Sequence, residues 1–274
     1  VFKSQTYSNG INMSAWKVDA SVFECRLSHE VPYYGSAVFR TSAGEKSSFY
    51  LKALASRLKT GQASLTFNPP LWNHDTEANM HAYVPVKQGQ MPINLGTKYT
   101  ERMLSELHAG MEIVFTRKPW YGAEESADVA ISNIGFRAVY QQYLECLVGL
   151  LPVNFDQIRR TAVYFPTREF EFLSKQEQKK LDNIILYAKA DSSVKEFFID
   201  GHTDKFGTRM DNMKLAENRA NTISNYLVKQ GLPKDAIKVR WHGERYPVSK
   251  NKHRINRRVT IRLDRVEQTL MKAK

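Results

Sequence analysis

Phe198-Ile-Asp-Gly-His-Thr-Asp204 and Leu215-Ala-Glu-Asn-Arg219-Ala220 are the stretches that decide the fold of this chain. The first reads as a strand that ends in a turn, and the second lies in a helical pattern that runs from about Asp211 to Gln230. An aspartate after a strand and an arginine on the next helix provide one anionic and one cationic anchor. Such a pair suits a small zwitterion, which indicates a binding module rather than an enzyme.

The C-terminal part of the chain alternates strands and helices around these stretches. A capping box at Ser174 and Glu177 begins one helix, and Gly231 ends the next. The order β-α-β-α-β-β predicts a small α/β sandwich with its helices packed on one sheet. The predicted strands span residues 161–165, 194–200, 237–242 and 259–264.

The N-terminal part carries many short strand-like runs, each bounded by Gly, Pro, Ser or Asn. Two helical patterns interrupt them, at about residues 97–108 and 133–150. This mixture predicts an antiparallel β-rich sheet or partial barrel with two helices. We therefore predict an α+β chain of two domains, residues 1–152 and 153–274, divided near the proline-containing break that begins at Leu151.

Charge and cysteine content leave several possibilities open. Residues 1–150 carry a net charge of +1 and residues 151–274 a net charge of +11, which suggests either an anionic partner or a solvated basic face. Cys25 and Cys146 are either two free buried thiols or one bridge.

No apolar run approaches the ~18 residues of a membrane helix. No signal peptide is recognisable, so we expect a cytosolic chain or one whose leader has been removed.

Catalytic and nucleic-acid signals are weak in this sequence. No nucleophile–base pair stands out, and His202, Asp204 and His242 lack the close spacing of metal ligands. No helix-turn-helix or RNP motif accompanies the basic residues. We predict a non-enzymatic protein with no metal or cofactor and no nucleic-acid partner.

The segment of about residues 160–266 resembles the OmpA-like peptidoglycan-binding family, which includes the C-termini of OmpA, Pal and MotB. Asp200-Gly-His-Thr-Asp204-Lys-Phe-Gly207, the Leu215–Ala220 stretch and Asn256-Arg-Arg-Val259 carry the resemblance. It implies that the ligand is the meso-diaminopimelate of peptidoglycan stem peptides. Asp204 then pairs with the ligand's ammonium, and Arg219 holds its carboxylate through two parallel hydrogen bonds. The other positions implied around the pocket are Thr203, Asn212, Leu215 and Arg257, with Gly201, Asn256 and Arg258 as structural support.

Three details accompany this resemblance. We expect the helix amides near Asp211 and Asn212 to face the ligand's carboxylate. Phe165-Pro166-Thr167 departs from the Phe-Asp of many members, so the sequence does not support a ligand contact from that loop. The basic segment Lys250-Asn-Lys-His-Arg254 either touches the anionic wall or is a solvated loop.

The whole chain is similar to the MotY family of sodium-driven flagellar motor proteins. A β-rich N-terminal domain with two cysteines precedes the module, and no transmembrane helix is apparent. The similarity implies a periplasmic protein that has lost its leader, joins a ring around the basal body with another T-ring protein, and helps anchor stator units. A periplasmic location favours a Cys25–Cys146 disulfide. The alternative is a generic envelope protein that tethers another outer-membrane or secretion assembly to peptidoglycan. Candidate partner contacts, which are otherwise core residues, are Trp16, Tyr33, Tyr34, Trp72, Trp120 and Tyr121.

Overall fold

The chain forms two compact units, residues 1–150 and 151–274. The computed structural model describes residues 5–8, 16–55, 58–70, 78–117 and 126–265. The α+β class predicted from the sequence is confirmed.

Ten strands and two helices make up the described part of the first unit. In chain order they are β1 (Gln5–Tyr7), β2 (Trp16–Ala20), β3 (Glu24–Val31), β4 (Gly35–Ser42), β5 (Ser48–Ala53), β6 (Gly61–Asn68), β7 (Asn79–Val86), β8 (Ile93–Leu95), α1 (Thr97–Ala109), β9 (Glu112–Arg117), β10 (Ala127–Ile131) and α2 (Phe136–Gly149). One five-stranded sheet has the order β1-β10-β9-β6-β7, and the other has the order β2-β3-β4-β5-β8. Strand β1 pairs in parallel with β10, and every other pairing here is antiparallel.

The two sheets of the first unit share one core. Strand β3 shows the alternation that produces it, because Cys25 and Leu27 are buried while Arg26 between them is only partly covered. The rings of Phe49 on β5 and Phe115 on β9 stack with their centroids 5.7 Å apart. Aromatic side chains from both sheets therefore meet in the interior.

Helix α2 packs against β2 and β3 and is covalently tied to β3. Cys25 of β3 and Cys146 of α2 form a disulfide with a Cα–Cα distance of 5.9 Å. The bridge favoured by the periplasmic resemblance is thus confirmed. Nearby, the hydroxyl groups of Thr41 and Tyr143 lie 2.8 Å apart and join α2 to β4.

The candidate partner aromatics differ in exposure. Trp16 is buried and donates its indole N–H to the carbonyl of Ser132 at 2.9 Å, and Tyr34 is fully buried, so both are core residues. Tyr33 is 84 % exposed and is available to a partner. Trp72, Trp120 and Tyr121 lie outside the described residues.

The second unit has one four-stranded sheet within its described residues. Its elements are α3 (Phe155–Ile158), β11 (Arg160–Tyr164), α4 (Lys175–Ala190), β12 (Val194–Gly201), α5 (Arg209–Lys229), β13 (Ile237–Trp241) and β14 (Arg258–Arg265), with short 3-10 turns at Lys234–Ala236 and His253–Ile255. The sheet order is β11-β14-β12-β13. Strands β12 and β13 are parallel, and β14 runs antiparallel to both β11 and β12. Apart from the added turn of α3, the predicted order β-α-β-α-β-β is confirmed.

The helices of the second unit bury the faces that their periodicity predicts. The buried positions are Leu181, Ile184 and Ile185 on α4 and Ala216, Ala220, Ile223 and Leu227 on α5. Ser174 caps α4 by accepting a hydrogen bond from the amide of Glu177 at 3.3 Å. The Glu177 carboxylate accepts from the amide of Tyr164 on β11 and from Lys180. The Glu177 side chain thus joins the helix to the sheet.

Candidate functional site

The candidate site lies at the end of β12, where helix α5 approaches the sheet closely. Gly201 is required there, because a Cβ atom at this position would lie 2.2 Å from the carbonyl oxygen of Ala216 on α5. The next two residues are held by neighbouring backbone: His202 donates its amide to Arg258, and Thr203 donates its amide to Gly243, both at 2.9 Å. The turn that leads to Asp204 is therefore fixed from both sides.

Asp204 is a buried carboxylate with two partners. Its side chain accepts from Nη1 of Arg257 at 3.1 Å and from the amide of Phe206 at 3.3 Å. Only 7 % of the residue is exposed. The charged partner of Asp204 is Arg257, which immediately precedes β14.

Arg219 is completely buried and is held by the backbone. Its Nε donates to the carbonyl of Glu169 at 2.8 Å, Nη2 to Pro166 at 2.9 Å and Nη1 to His202 at 3.3 Å. The guanidinium carbon lies 5.3 Å from the ring centroid of Phe165. The Nε–Nη2 edge of Arg219 thus faces the loop that follows β11, whereas the family resemblance implies that the guanidinium makes two parallel hydrogen bonds to the ligand's carboxylate.

Asp204, Arg219 and Arg257 nevertheless form one electrostatic group. Burial lowers the pKa of Arg219 to about 10; the charge of Arg257 acts in the same direction and the charge of Asp204 opposes it. The group contains one carboxylate and two guanidinium groups. Its charge therefore fits a ligand that brings a carboxylate along with an ammonium.

Two further predicted pocket residues are buried with polar atoms unpaired. Thr203 Oγ1 and Asn212 Nδ2 have no hydrogen-bond partner among the described residues. Thr203 is 2 % exposed and Asn212 is 4 % exposed, whereas Leu215 is half-buried. Buried polar atoms are normally paired, so these two remain able to bond a polar ligand.

The helix amides predicted to face the ligand are already engaged. Helix α5 begins at Arg209, two residues before the predicted start, with Thr208 as its cap. The amide of Asp211 donates to Oγ1 of Thr208 at 3.2 Å, and the amide of Asn212 donates to its carbonyl at 3.0 Å. The prediction that these amides hold the ligand's carboxylate is therefore wrong for this conformer.

Asn256 and Arg258 support the walls of the site. The Asn256 side chain accepts from the amides of Val248 and Ser249 and donates to the carbonyl of Ser249 at 2.7 Å. Arg258 donates to the carbonyl of Tyr246 at 3.2 Å, and burial lowers its pKa. Asn256 thereby shapes the segment that precedes Arg257.

A second polar cluster at the end of β12 contains two histidines. The rings of His202 and His242 stack at 5.2 Å, and Nε2 of His242 lies 2.9 Å from the Asp200 carboxylate. Burial lowers the pKa of His202 to about 4, helped by the charges of Arg258 and His242. In the part of the chain that the structure describes, no group of three or more His, Cys, Asp or Glu side chains could hold a metal ion.

Comparison with known proteins identifies both units. The pattern of the MotY N-terminal domain matches residues 7–152, more than half of the chain, and the pattern of the OmpA family matches residues 164–260. The chain belongs to the MotY family. The sodium-type flagellar protein MotY of Vibrio parahaemolyticus is 29 % identical over 261 residues, which cover 93 % of this chain and 88 % of that relative.

Other similar proteins match a smaller part of this MotY-family chain. The peptidoglycan-associated lipoprotein of Buchnera aphidicola is 31 % identical over 117 residues, or 39 % of this chain and 66 % of the relative. The solved peptidoglycan-associated lipoprotein of Burkholderia pseudomallei is 24 % identical, with a TM-score of 0.35 over 38 % of this chain and 89 % of that one. The C-terminal domain of Helicobacter pylori MotB is 19 % identical, with a TM-score of 0.35 over 39 % of this chain and 86 % of that one. None of the helices formed by the described residues has the length and apolar character needed to cross a membrane.

Proposed function

We propose that this chain is a non-enzymatic, periplasmic component of the flagellar motor that binds peptidoglycan through its C-terminal unit. Two independent matches support this: a MotY N-terminal domain and an OmpA-family domain occur on one chain. The relative that aligns with nearly the whole chain is a sodium-type flagellar protein. In this proposal, residues 1–152 associate with the basal body and residues 153–274 bind peptidoglycan.

The observation that carries the wall-binding proposal is the buried carboxylate of Asp204, with unpaired polar atoms of Thr203 and Asn212 also buried around the end of β12. A buried acid beside unpaired donor and acceptor atoms is the chemistry expected of a site for a small polar ligand. The zwitterionic end of meso-diaminopimelate fits it, because the ammonium pairs with Asp204 while the carboxylate meets the two guanidinium groups.

The two arginines take different roles in this proposal. Arg257 has 17 % of its side chain exposed and already touches Asp204, so it reaches the ligand's carboxylate with little movement. Arg219 already donates hydrogen bonds to the carbonyls of the loop that follows β11. It attracts the ligand's carboxylate through its charge and without direct contact. In a ligand-bound conformer that frees its Nε–Nη2 edge, Arg219 makes the paired hydrogen bonds that the family resemblance implies.

The motor role follows from the family. A rigid protein that binds both peptidoglycan and the basal body can keep the stator units from rotating with the rotor. We propose that the N-terminal unit joins a ring with another T-ring protein and that the wall-bound unit helps to anchor stators. Co-purification with flagellar basal bodies supports this role, whereas co-purification with another envelope assembly alone would favour the generic tether.

Wall binding is tested by co-sedimentation of the purified chain with peptidoglycan sacculi. Asp204→Asn keeps the shape and removes the charge, and losing one member of a buried charged pair at an interface costs about 2–5 kcal/mol, or at least about 30-fold in affinity. Asp200→Asn is the matched control, because Asp200 lies near the end of β12, shortly before Asp204, but pairs with Arg240 and His242 instead. If Asp204→Asn pellets with sacculi as well as Asp200→Asn does, the site is assigned wrongly.

A further inference from the structure

The segment of residues 250–254 contacts the turn that carries Asp204. The ring of His253 meets the ring of Phe206 edge to face, with centroids 4.7 Å apart. The amide of Phe206 in turn donates to Asp204. On its other side, the segment is held by Asn256, whose amide group bonds Ser249 and whose neighbour Arg257 pairs with Asp204. This segment therefore has a defined position relative to the candidate ligand site.

Four exposed cations flank the Phe206–His253 contact along the chain, and we call them the basic rim. The basic rim consists of Lys205, Lys250, Lys252 and Arg254. None of the four has an acidic partner within the described ranges, although the Lys205 ammonium lies 5.9 Å from the centroid of the Phe206 ring.

Cations on the sheet of the same unit are arranged differently. Lys238 pairs with Glu196 and Arg240 pairs with Asp200, and Arg262 likewise has a carboxylate beside it. A cation that already pairs with a carboxylate attracts an external anion only weakly. The unpaired cations of the basic rim retain their full attraction for an anion. The rim therefore offers unpaired cations to an anionic extension of a ligand that is held at Asp204.

We propose that the basic rim is a second subsite, which binds carboxylates of the stem peptide next to the diaminopimelate that Asp204 holds. This proposal rests on the proposed function. The stem peptide of peptidoglycan carries carboxylates beyond the zwitterionic end of its diamino acid, and these extend out of the pocket. Charges within about 10 Å of one another interact through ordinary salt concentrations, so the rim acts on the peptide but adds little for the free amino acid.

The test compares two variants of the full chain with the same net charge. The rim variant carries Lys205→Gln, Lys250→Gln, Lys252→Gln and Arg254→Gln. The control variant carries Lys175→Gln, Lys179→Gln, Lys195→Gln and Lys234→Gln, which are exposed positions of the same unit. Calorimetry then measures binding of meso-diaminopimelic acid and of the tetrapeptide L-Ala-D-Glu-meso-diaminopimelyl-D-Ala at low and high salt.

We expect the rim variant to bind the tetrapeptide about tenfold more weakly than the parent, with a flatter salt dependence. Its affinity for the free amino acid should stay unchanged, and the control variant should match the parent for both ligands. Equal losses in the two variants would overturn the subsite, since general charge attraction would explain them, and so would an unchanged tetrapeptide affinity. If the proposed function itself is wrong, the result is distinguishable from loss of the subsite alone. The Asp204→Asn variant would then bind each of the two ligands with the same affinity as the parent.

Discussion

Replacing Arg219 tests whether this arginine is a structural residue as well as a candidate ligand contact. From the sequence alone, Arg219→Ala should remove wall binding and leave the fold intact. The structure points to a larger effect, because the guanidinium is fully buried and donates to three backbone carbonyls. We therefore predict that even the volume-conserving change Arg219→Met destabilises the C-terminal unit.

The size of the effect follows from two opposing contributions. Each hydrogen bond from a charged donor contributes about 1.5–3 kcal/mol. Against this, burial lowers the pKa of Arg219 to about 10, which corresponds to a cost of about 3 kcal/mol for the charged form. Three bonds outweigh that cost, and we expect a net loss of about 3 kcal/mol, as for other broken buried charged contacts.

Hydrogen exchange followed by mass spectrometry measures this loss in the full chain, because peptides from α5 and β12 report on the second unit alone. Arg240→Met is the matched control. The Arg240 side chain is 55 % exposed and its ion pair with Asp200 lies at the surface, so we expect a change below about 1 kcal/mol. A change of that small size for Arg219→Met would refute the structural role.

Three further changes test other parts of the structure. Replacing Cys25 and Cys146 together by Ala removes a bridge between residues 121 apart; this should lower the free energy of unfolding of the first unit by up to about 5 kcal/mol, measured by urea denaturation. Gly201→Ala should destabilise the second unit by about 1–3 kcal/mol in the exchange assay, because the new methyl group meets the Ala216 carbonyl, and an unchanged exchange rate would contradict this close approach. Burial lowers the pKa of His29 to about 4, so stability should be fully present above the unfolded-state pKa of about 6.5 and fall as the pH drops towards 4. His29→Gln should flatten that fall in urea titrations, and an equally steep fall would contradict the assignment.

The regular parts of the fold could be predicted because they depend on local patterns. The helical spacing of apolar residues predicted the buried face of α5, and the alternation of apolar and polar residues predicted strands β13 and β14. The predicted start of α5 was two residues late, although a signal was present. Thr208 followed three residues later by Asp211 is a capping pattern, and the two side chains do bond each other at 2.7 Å.

The partners of the charged groups could not be predicted in the same way. The acceptors around Arg219 are carbonyls of Pro166, Glu169 and His202, and a backbone carbonyl has no residue-specific signature. The pairing of Asp204 with Arg257 joins residues 53 positions apart, through the packing of β14 against β12. The sequence therefore indicated which residues gather at the site but not how they divide their hydrogen bonds.

Binding of the ligand's ammonium at Asp204 can be observed directly by titrating the isotope-labelled chain with meso-diaminopimelic acid and following the amide signals by NMR. We expect the amide signals of Thr203, Asp204 and Phe206 to shift in the parent and in Asp200→Asn, and we expect Asp204→Asn to abolish these shifts. Shifts confined to other parts of the chain, or shifts at the end of β12 that persist in Asp204→Asn, would contradict the claim that this buried carboxylate receives the ligand's ammonium.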